Sequence, residues 1–245
     1  VETARGNLAV ALLRLDHVSE AEQHLRQLLQ SRTERLGAEH PTVLVQQANL
    51  AATLTDLGKA SESVSMLDEL IPLATDIWGA RHPQLLTLRN NRSIALDQLG
   101  RFEEAFAIHQ GLLPDVIERY GADHPETRIS RNNYANAAVR LERWEEAEAE
   151  LRAALTAFEG DPESADDVGH IRTSMSLAGV LAGQGRWSEA EPLSAGAIEA
   201  LEDLLGAGHL QTLIARNNHA MYLLDMGRPA DALTMARKNL AVAEE

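Results

Sequence analysis

The sequence contains no cysteine among its 245 residues, and only 4% of the residues are aromatic. Without cysteine the chain has no disulfide, no thiolate zinc site and no thiol nucleophile, and it fits a reducing compartment, so we expect a cytoplasmic protein. The shortage of aromatic residues, beside 44% hydrophobic residues, favours alanine- and leucine-rich helix packing over a β-sandwich. The composition therefore predicts an all-α fold.

Long apolar runs are also missing, since none approaches the roughly 18 residues that a membrane-spanning helix needs. The first residues do not have the design of a signal peptide, and the chain does not begin with methionine, so we expect a segment of a larger protein. The formal net charge of −15 opposes binding to a phosphate backbone or an anionic membrane. We expect neither nucleic acid nor membrane as a partner.

Three series of residues repeat along the chain in a common register of about 42 residues. The pattern Gly-x-x-His-Pro occurs at 37–41, 79–83 and 121–125, with a weakened copy at 206–210. A glycine series and an alanine series run at the same spacing; they comprise Gly58, Gly100, Gly185, Gly227, and Ala21, Ala105, Ala147, Ala190, Ala232. Agreement between independent series indicates an internal structural repeat.

Each 42-residue repeat has the pattern of two helices, which we name helix A and helix B. Pro125 opens helix A, because proline at the first helical position loses no hydrogen bond, and apolar residues from Ile129 to Leu141 follow at helical spacing. A turn at 142–143 leads into helix B, whose apolar stripe begins at Ala147. Such a hairpin cannot bury its own apolar face, whereas stacked neighbours share a core.

The sequence therefore predicts a single array of six stacked hairpins. Their approximate spans are 1–36, 37–78, 79–120, 121–162, 163–205 and an incomplete 206–245. The first span lacks its Gly-x-x-His-Pro entry and the last stops within helix B, so we expect the array to continue on both sides.

The repeated motifs resemble the tetratricopeptide repeat (TPR), in its 42-residue form found in kinesin light chains and in many bacterial regulatory proteins. The likeness rests on Gly-x-x-His-Pro, on Asn-Asn pairs followed by a small residue, and on Gly-Arg-aromatic-x-Glu-Ala at 100–105 and 185–190. It implies a right-handed α-solenoid in which A helices line a concave groove and B helices form the convex back. It also implies that one asparagine on each helix A binds a peptide; the matching positions are Asn7, Asn49, Asn91, Asn133 and Asn218. The fifth repeat has Ser176 in place of this asparagine.

An Arg-Asn-Asn triplet begins at Arg89, Arg131 and Arg216. The second asparagine recurs without the arginine, so it belongs to the repeat, and Asn133 shares its helix face with Asn136. We take as candidate groove residues Asn49, Asn91, Asn133, Asn136, Asn218, Arg89, Arg131 and Arg216. Two alternatives stay open: the asparagines either contact a ligand or bond the next repeat's backbone, and the arginines either capture an acidic peptide or pair with acids inside the array.

Other chemistry finds little support in the sequence. His40, His82, His124 and His209 are in register, but equivalent atoms of stacked repeats lie about 10 Å apart, whereas a zinc ligand must reach its ion at about 2 Å. We predict for them a structural role beside the helix N-terminus. The segment 160–167 lacks the glycine and glutamate of a calcium loop and is predicted to be an acidic connection. We expect no metal, no cofactor, no catalytic residue and no enzyme.

The leading functional hypothesis is a protein- or peptide-binding scaffold or sensor region of a larger, bacterial regulatory protein. Its ligand is an extended segment in the groove lined by helix A, and an acidic segment or a free C-terminus matches the arginines and asparagines. The alternatives are a structural spacer or self-association element, and a receptor for a small signalling peptide.

Overall fold

The computed structural model describes residues 2–15, 17–159 and 168–243, and these residues form twelve α-helices with no strand. The A helices are α1 (Glu2–Arg14), α3 (Pro41–Asp56), α5 (Pro83–Gln98), α7 (Pro125–Arg140), α9 (Val168–Gly183) and α11 (Leu210–Asp225). The B helices are α2 (Val18–Leu36), α4 (Ala60–Trp78), α6 (Phe102–Tyr120), α8 (Trp144–Glu159), α10 (Trp187–Leu205) and α12 (Pro229–Ala243). The segment 160–167, predicted to be an acidic connection, lies outside the described residues.

Each A helix pairs with the B helix that follows it. Contacts join α1 with α2, α3 with α4, α7 with α8, α9 with α10 and α11 with α12, and further contacts join α2 with α3, α4 with α5, α8 with α9 and α10 with α11. The chain forms two compact units, residues 1–119 and 120–245, each of three hairpins. The predicted class, an all-α solenoid of helix-turn-helix hairpins, is confirmed.

The His-Pro pairs start the A helices. The Nδ1 atom of His40 accepts a hydrogen bond from the backbone N–H of Thr42 at 3.2 Å, and the other three histidines of the series make the same bond two residues ahead at 3.1–3.3 Å. An acceptor at this position satisfies one of the unpaired N–H groups that every helix leaves at its start. The predicted structural role of the four histidines is therefore confirmed.

The turn between helices A and B needs a left-handed backbone residue. Gly58, Gly100, Gly185 and Gly227 occupy it with φ between 72° and 74°. In the hairpin of α7 and α8 the same place is taken by Glu142, with φ 56°. Glycine adopts this conformation without a Cβ clash, so Glu142 is a strained exception.

Leucines and alanines fill the core of each unit. In the first unit Leu44, Leu67 and Leu85 are completely buried where α3, α4 and α5 meet. In the second unit Ile171 and Leu201 are buried where α9, α10 and α11 meet. Burial of such side chains stabilises the fold by about 1.5–3 kcal/mol each.

Two of the three tryptophans pack between hairpins of the second unit. The ring of Trp144 on α8 comes within 2.7 Å of the place where Gly183 on α9 would carry a Cβ, so only glycine allows this approach. The ring of Trp187 on α10 lies 6.1 Å from that of Tyr222 on α11. Both tryptophans therefore serve packing between hairpins.

Candidate functional site

In each unit every A helix has a solvent-facing side, and we call these sides together the A-helix stripe. It contains the residues of each A helix that recur at three- and four-residue steps and stay exposed or half-exposed, because the opposite side packs on other helices. In the first unit these are Asn7, Val10, Arg14; Thr42, Val45, Asn49, Ala52, Asp56; and Gln84, Thr87, Asn91, Ile94, Gln98. In the second they are Glu126, Ile129, Asn133, Asn136, Arg140; Gly169, Arg172, Ser176, Gly179, Gly183; and Gln211, Ile214, Asn218, Met221, Asp225.

All five asparagines predicted to line a groove lie on this stripe. Asn49, Asn136 and Asn218 are exposed, and Asn91 and Asn133 are half-buried. Direct contacts between α3 and α5 in the first unit, and between α7 and α9 in the second, place neighbouring A helices side by side. From α3 to α5 in the first unit, and from α7 to α9 in the second, the stripe is therefore a continuous surface.

Large apolar side chains flank the asparagines on the same stripe. Val10, Ile94 and Met221 each stand three residues after the asparagine position, and Ile129 and Ile214 stand four before it. Their exposed fractions run from 44% to 57%. The helical pattern of the sequence does not reveal this feature, because Ile129 fits that pattern as an apolar residue although 44% of it faces solvent. An alignment of the repeats would have shown isoleucine beside the amide at more than one A helix.

Charge on the stripe differs from charge on the whole chain. The stripe has three arginines, Arg14, Arg140 and Arg172, and three acids, Asp56, Glu126 and Asp225. It is formally neutral, although the protein as a whole carries −15. The excess of acids therefore lies on other surfaces, and the stripe itself presents no net negative charge to a bound segment.

The arginines of the first two triplets lie off the stripe and point toward helix B of their own hairpin. Arg89 donates a hydrogen bond to the carboxylate of Asp115 on α6 at 2.9 Å. Arg131 bonds to the carboxylate of Glu150 on α8. These contacts favour the alternative in which the arginines pair with acids inside the array.

Arg216, the arginine of the third triplet, is more deeply buried than the other two, since its side chain is completely covered. It donates to the carboxylate of Glu202 on α10 at 2.6 Å and 3.0 Å and to the carbonyl of Ala207 at 2.9 Å. Its hydrogen bonds hold the pKa of Glu202 below its usual range. A ligand could reach this guanidinium only if the packing opened.

The first asparagine of the triplet is also structural in the second unit. Asn132 is buried, and its side-chain N–H groups donate to the carbonyl of Arg128 and to the hydroxyl of Thr173 on α9, both at 2.9 Å. Asn217 accepts a hydrogen bond from Asn239 on α12 at 2.8 Å. In these triplets the first two residues hold helices together, and the third faces solvent.

Helix α9 departs from the stripe pattern. It has Arg172 where the other A helices carry an aliphatic residue or threonine, Ser176 where they carry asparagine, and Gly179 and Gly183 where they carry longer side chains. Gly183 is required by Trp144, and Gly179 lies 3.5 Å from the hydroxyl of Tyr222, measured from an ideal Cβ. Ser176, which stands in place of the asparagine, thus lies on the same helix as glycines that packing accounts for.

No helix within the described ranges is both long enough and apolar enough to cross a membrane. The described residues also contain no group of three or more histidine and acidic side chains that could hold a metal ion.

The model of a known family, the tetratricopeptide repeat, matches residues 42–114, 98–160 and 170–245, and a second model with the same description matches residues 1–42. The chain belongs to the tetratricopeptide repeat family. The expected resemblance to the kinesin light chain type agrees with solved structures as well. None of the curated proteins matches this TPR chain in sequence.

Three solved structures show the fold shared with this TPR protein. The nearly identical TPR-like repeats of a kinesin light chain from Podosopora anserina are 20% identical, with a TM-score of 0.73 over 83% of this chain and 96% of that one. BtubC (BKLC) from P. vanneervenii is 17% identical, with a TM-score of 0.70 over 95% and 91%. YrrB, described as a TPR protein with an unusual peptide-binding site, is 16% identical, with a TM-score of 0.54 over 89% and 93%.

Proposed function

We propose that this TPR array is a protein-interaction scaffold that binds an extended protein or peptide segment along the A-helix stripe. The observation that carries the proposal is that an amide and a large apolar side chain lie together on the solvent-facing side of each of four A helices, α1, α5, α7 and α11. Exposed apolar side chains rimmed by polar groups are typical of binding surfaces.

The chemistry of the stripe suits an extended backbone. A side-chain amide both donates and accepts hydrogen bonds, so it matches the N–H and C=O groups of a peptide. Stacked helices lie about 10 Å apart, which corresponds to roughly three residues of extended chain. Each asparagine could therefore engage every third residue of the ligand, while the neighbouring isoleucine, valine or methionine contacts its side chains.

The finer parts of the proposal rest on composition and likeness. A regulatory role in a larger bacterial protein follows from the resemblance to repeat arrays of that kind, and the peptide-binding site described for YrrB supports a peptide ligand. The absence of cysteine supports a cytoplasmic location. No catalytic role is proposed for any residue.

The test begins with peptides selected on the intact protein from a random display library. Asn91→Ala and Asn133→Ala should each weaken binding of a selected peptide about tenfold, since each removes hydrogen bonds to its backbone. Gln110→Ala, which deletes an exposed amide from α6 on another face, is the matched control and should change nothing. Unaltered affinity in both asparagine variants, with melting temperatures preserved, would show that the stripe is not the binding surface.

A second function, self-association, is favoured by the last hairpin. Leu233 and Leu240 on α12 are seven residues apart on one face and are 52% and 60% exposed. Two such leucines could pack on the same face of another copy. Light scattering over a range of concentrations should then show dimers that Leu233→Gln with Leu240→Gln abolishes, and a monomer at every concentration would exclude this role.

A further inference from the structure

A cavity of about 500 Å³ lies between the last two B helices, α10 and α12, where both pack on α11. Its apolar lining includes Ile198, Leu223 and Met235. The lining residues of α11, which are His219 and Leu223, do not belong to the A-helix stripe. The cavity is therefore a different surface from the one proposed to bind a peptide.

Most of the charged side chains that line the cavity are paired with one another. Arg228 donates to the carboxylate of Glu191 at 2.5 Å and to that of Asp231 at 2.7 Å. Lys238 donates to the carboxylate of Glu202 at 3.4 Å. These contacts account for both cations among the described residues of the lining.

Glu199 is the carboxylate that remains. It is exposed at the cavity, and no cation among the described residues pairs with it. The other B helices have no acid at this position; they carry Gln30, Pro72, Pro114, Thr156 and Ala241. The cavity therefore presents a negative charge that its own side chains leave available to a ligand.

His219 adds a second polar group that the protein does not satisfy. The residue is only 5% exposed. Its Nδ1 atom is sealed and no described residue bonds to it, whereas Nε2 stays open to the cavity. Burial lowers the pKa of His219, so the ring is neutral at pH 7 and can accept a hydrogen bond at Nε2. Because a buried polar group without a partner costs free energy, a ligand that donates an N–H to this ring is favoured.

A related cavity in the first unit has neither of these two groups. It measures about 490 Å³ and lies between α4 and α6, the equivalent pair of B helices. There Arg92 takes the place of His219 and donates to the carboxylate of Asp68 at 2.5 Å, and Pro72 takes the place of Glu199. The two cavities thus share their position and size, and the available carboxylate and ring nitrogen are particular to the second.

We propose that the cavity between α10 and α12 binds an organic cation, an ammonium group carried on an aliphatic stem. The carboxylate of Glu199 accepts charge-assisted hydrogen bonds from the ammonium, and Nε2 of His219 accepts a further N–H of the ligand. Ile198, Leu223 and Met235 cover the carbon atoms of the stem. The ammonium comes either from a free alkylamine or from a lysine side chain of a partner.

Two pairs of matched probes distinguish these sources. The free pair is n-pentylammonium against 1-pentanol, and the side-chain pair is N-acetyl-lysine-N-methylamide against N-acetyl-norleucine-N-methylamide. Each probe is titrated into the intact protein while NMR follows the ring of His219 and the methyl group of Met235. We expect each cation to bind at least about tenfold more tightly than its neutral partner, as a charge-assisted hydrogen bond implies. The tighter of the two cations identifies the source.

Variants taken from the array itself test the assignment. Glu199→Gln introduces the residue found at Gln30, and His219→Leu that found at Leu50, so both should fold. Glu199→Gln should remove the preference for the cation, and His219→Leu should weaken binding of the cation about fivefold. Asp203→Asn removes an exposed charge of the same helix outside the cavity and should leave the preference intact.

Lys238→Gln provides a test in the opposite direction. It introduces the residue found at Gln27 and removes an ammonium from the edge of the cavity, so binding of the cation should become tighter. Equal binding of a cation and its neutral partner in both pairs, or an unchanged preference in a folded Glu199→Gln, would overturn the proposal. Weaker binding of the cation to Lys238→Gln would also contradict it. These outcomes leave the proposal for the A-helix stripe untouched, because no lining residue belongs to the stripe.

Discussion

The hairpin of α5 and α6 and the hairpin of α7 and α8 are copies 42 residues apart, yet they have diverged at particular positions. Both begin with a His-Pro cap and continue with Arg-Asn-Asn, and in both the triplet arginine pairs with an acid of helix B. The second has Arg128, Glu142 and Leu151 where the first has Leu86, Gly100 and His109. The comparison teaches that caps and close-packed positions preserve the hairpin, whereas a core position can be altered when a new contact, here Phe158, accompanies the change.

The largest effect on stability is expected when the arginine found at position 128 is placed at the equivalent position of the hairpin of α5 and α6. Leu86→Arg places a charge at a site that is 7% exposed, where Val116 replaces Phe158 and no ring stacks on the guanidinium. We expect a loss of about 3 kcal/mol in the free energy of unfolding, measured by urea denaturation. The reciprocal Arg128→Leu should stay within about 1 kcal/mol of the parent. Similar costs for both changes would mean that Phe158 does not stabilise Arg128.

The third triplet sharpens the comparison, because its arginine is more deeply buried. Glu202→Gln leaves Arg216, which is 0% exposed, without its carboxylate, whereas Asp115→Asn does the same to Arg89, which is 26% exposed. We expect losses of about 3 kcal/mol for Glu202→Gln and under about 1 kcal/mol for Asp115→Asn, since solvent reaches only Arg89. Thermal melts of the two variants check the ranking, and equal shifts would contradict it.

In the hairpin of α5 and α6, His109 makes the free energy of unfolding depend on pH. The equivalent residue in the hairpin of α7 and α8 is Leu151, which does not titrate. The Ser93 hydroxyl donates to the carbonyl of Asn90, so it accepts the Nε2–H of His109 at 2.8 Å, and no described residue bonds to Nδ1. Burial lowers the pKa of His109 to about 4.

The unfolded chain, with a histidine pKa near 6.5, therefore binds the proton first, and stability is lost as the pH falls from about 6.5 to 4. The contribution is on the order of 3 kcal/mol. His109→Leu should flatten the profile of urea midpoints against pH in this window. Burial also lowers the pKa of His219, so a slope from that residue should persist. An unchanged profile in the variant would show that His109 does not carry the effect.

The smallest effect is expected at the turn between the two helices of each hairpin. Gly100→Ala puts a Cβ into the left-handed conformation and should cost about 1 kcal/mol, whereas Glu142→Gly relieves that strain and should stabilise by up to about 1 kcal/mol. Differential scanning calorimetry measures both, and a destabilising Glu142→Gly would show that the side chain of Glu142 contributes more than its backbone strain.

The sequence predicted what depends on local patterns. The His-Pro caps, the turn glycines and the 42-residue period are each written within a few residues, so the helices and their pairing were expected and are confirmed. The candidate asparagines come from positions that match the family motif, with Asn136 added by helical spacing, and all of them are exposed or half-buried.

Features that depend on tertiary partners could not be predicted. A helical period does not say which apolar residues are covered, so it does not show that Ile129 is 44% exposed. The burial of Arg128 depends on Phe158, thirty residues away, and that of Arg216 on Glu202 in the preceding hairpin. When the repeats are aligned, the other hairpins carry leucine or isoleucine at the position of Arg128, namely Leu44, Leu86, Ile171 and Leu213. This exception is visible in the sequence, although the 42-residue period alone does not reveal it.

The main helix contacts in the described chain join sequence neighbours or next neighbours. Loops of this length close at little entropic cost, so folding can nucleate at any hairpin and spread to the next one. The corollary is that each pair of helices can open on its own, and hydrogen exchange would record a gradient of protection along the chain in place of a single cooperative event.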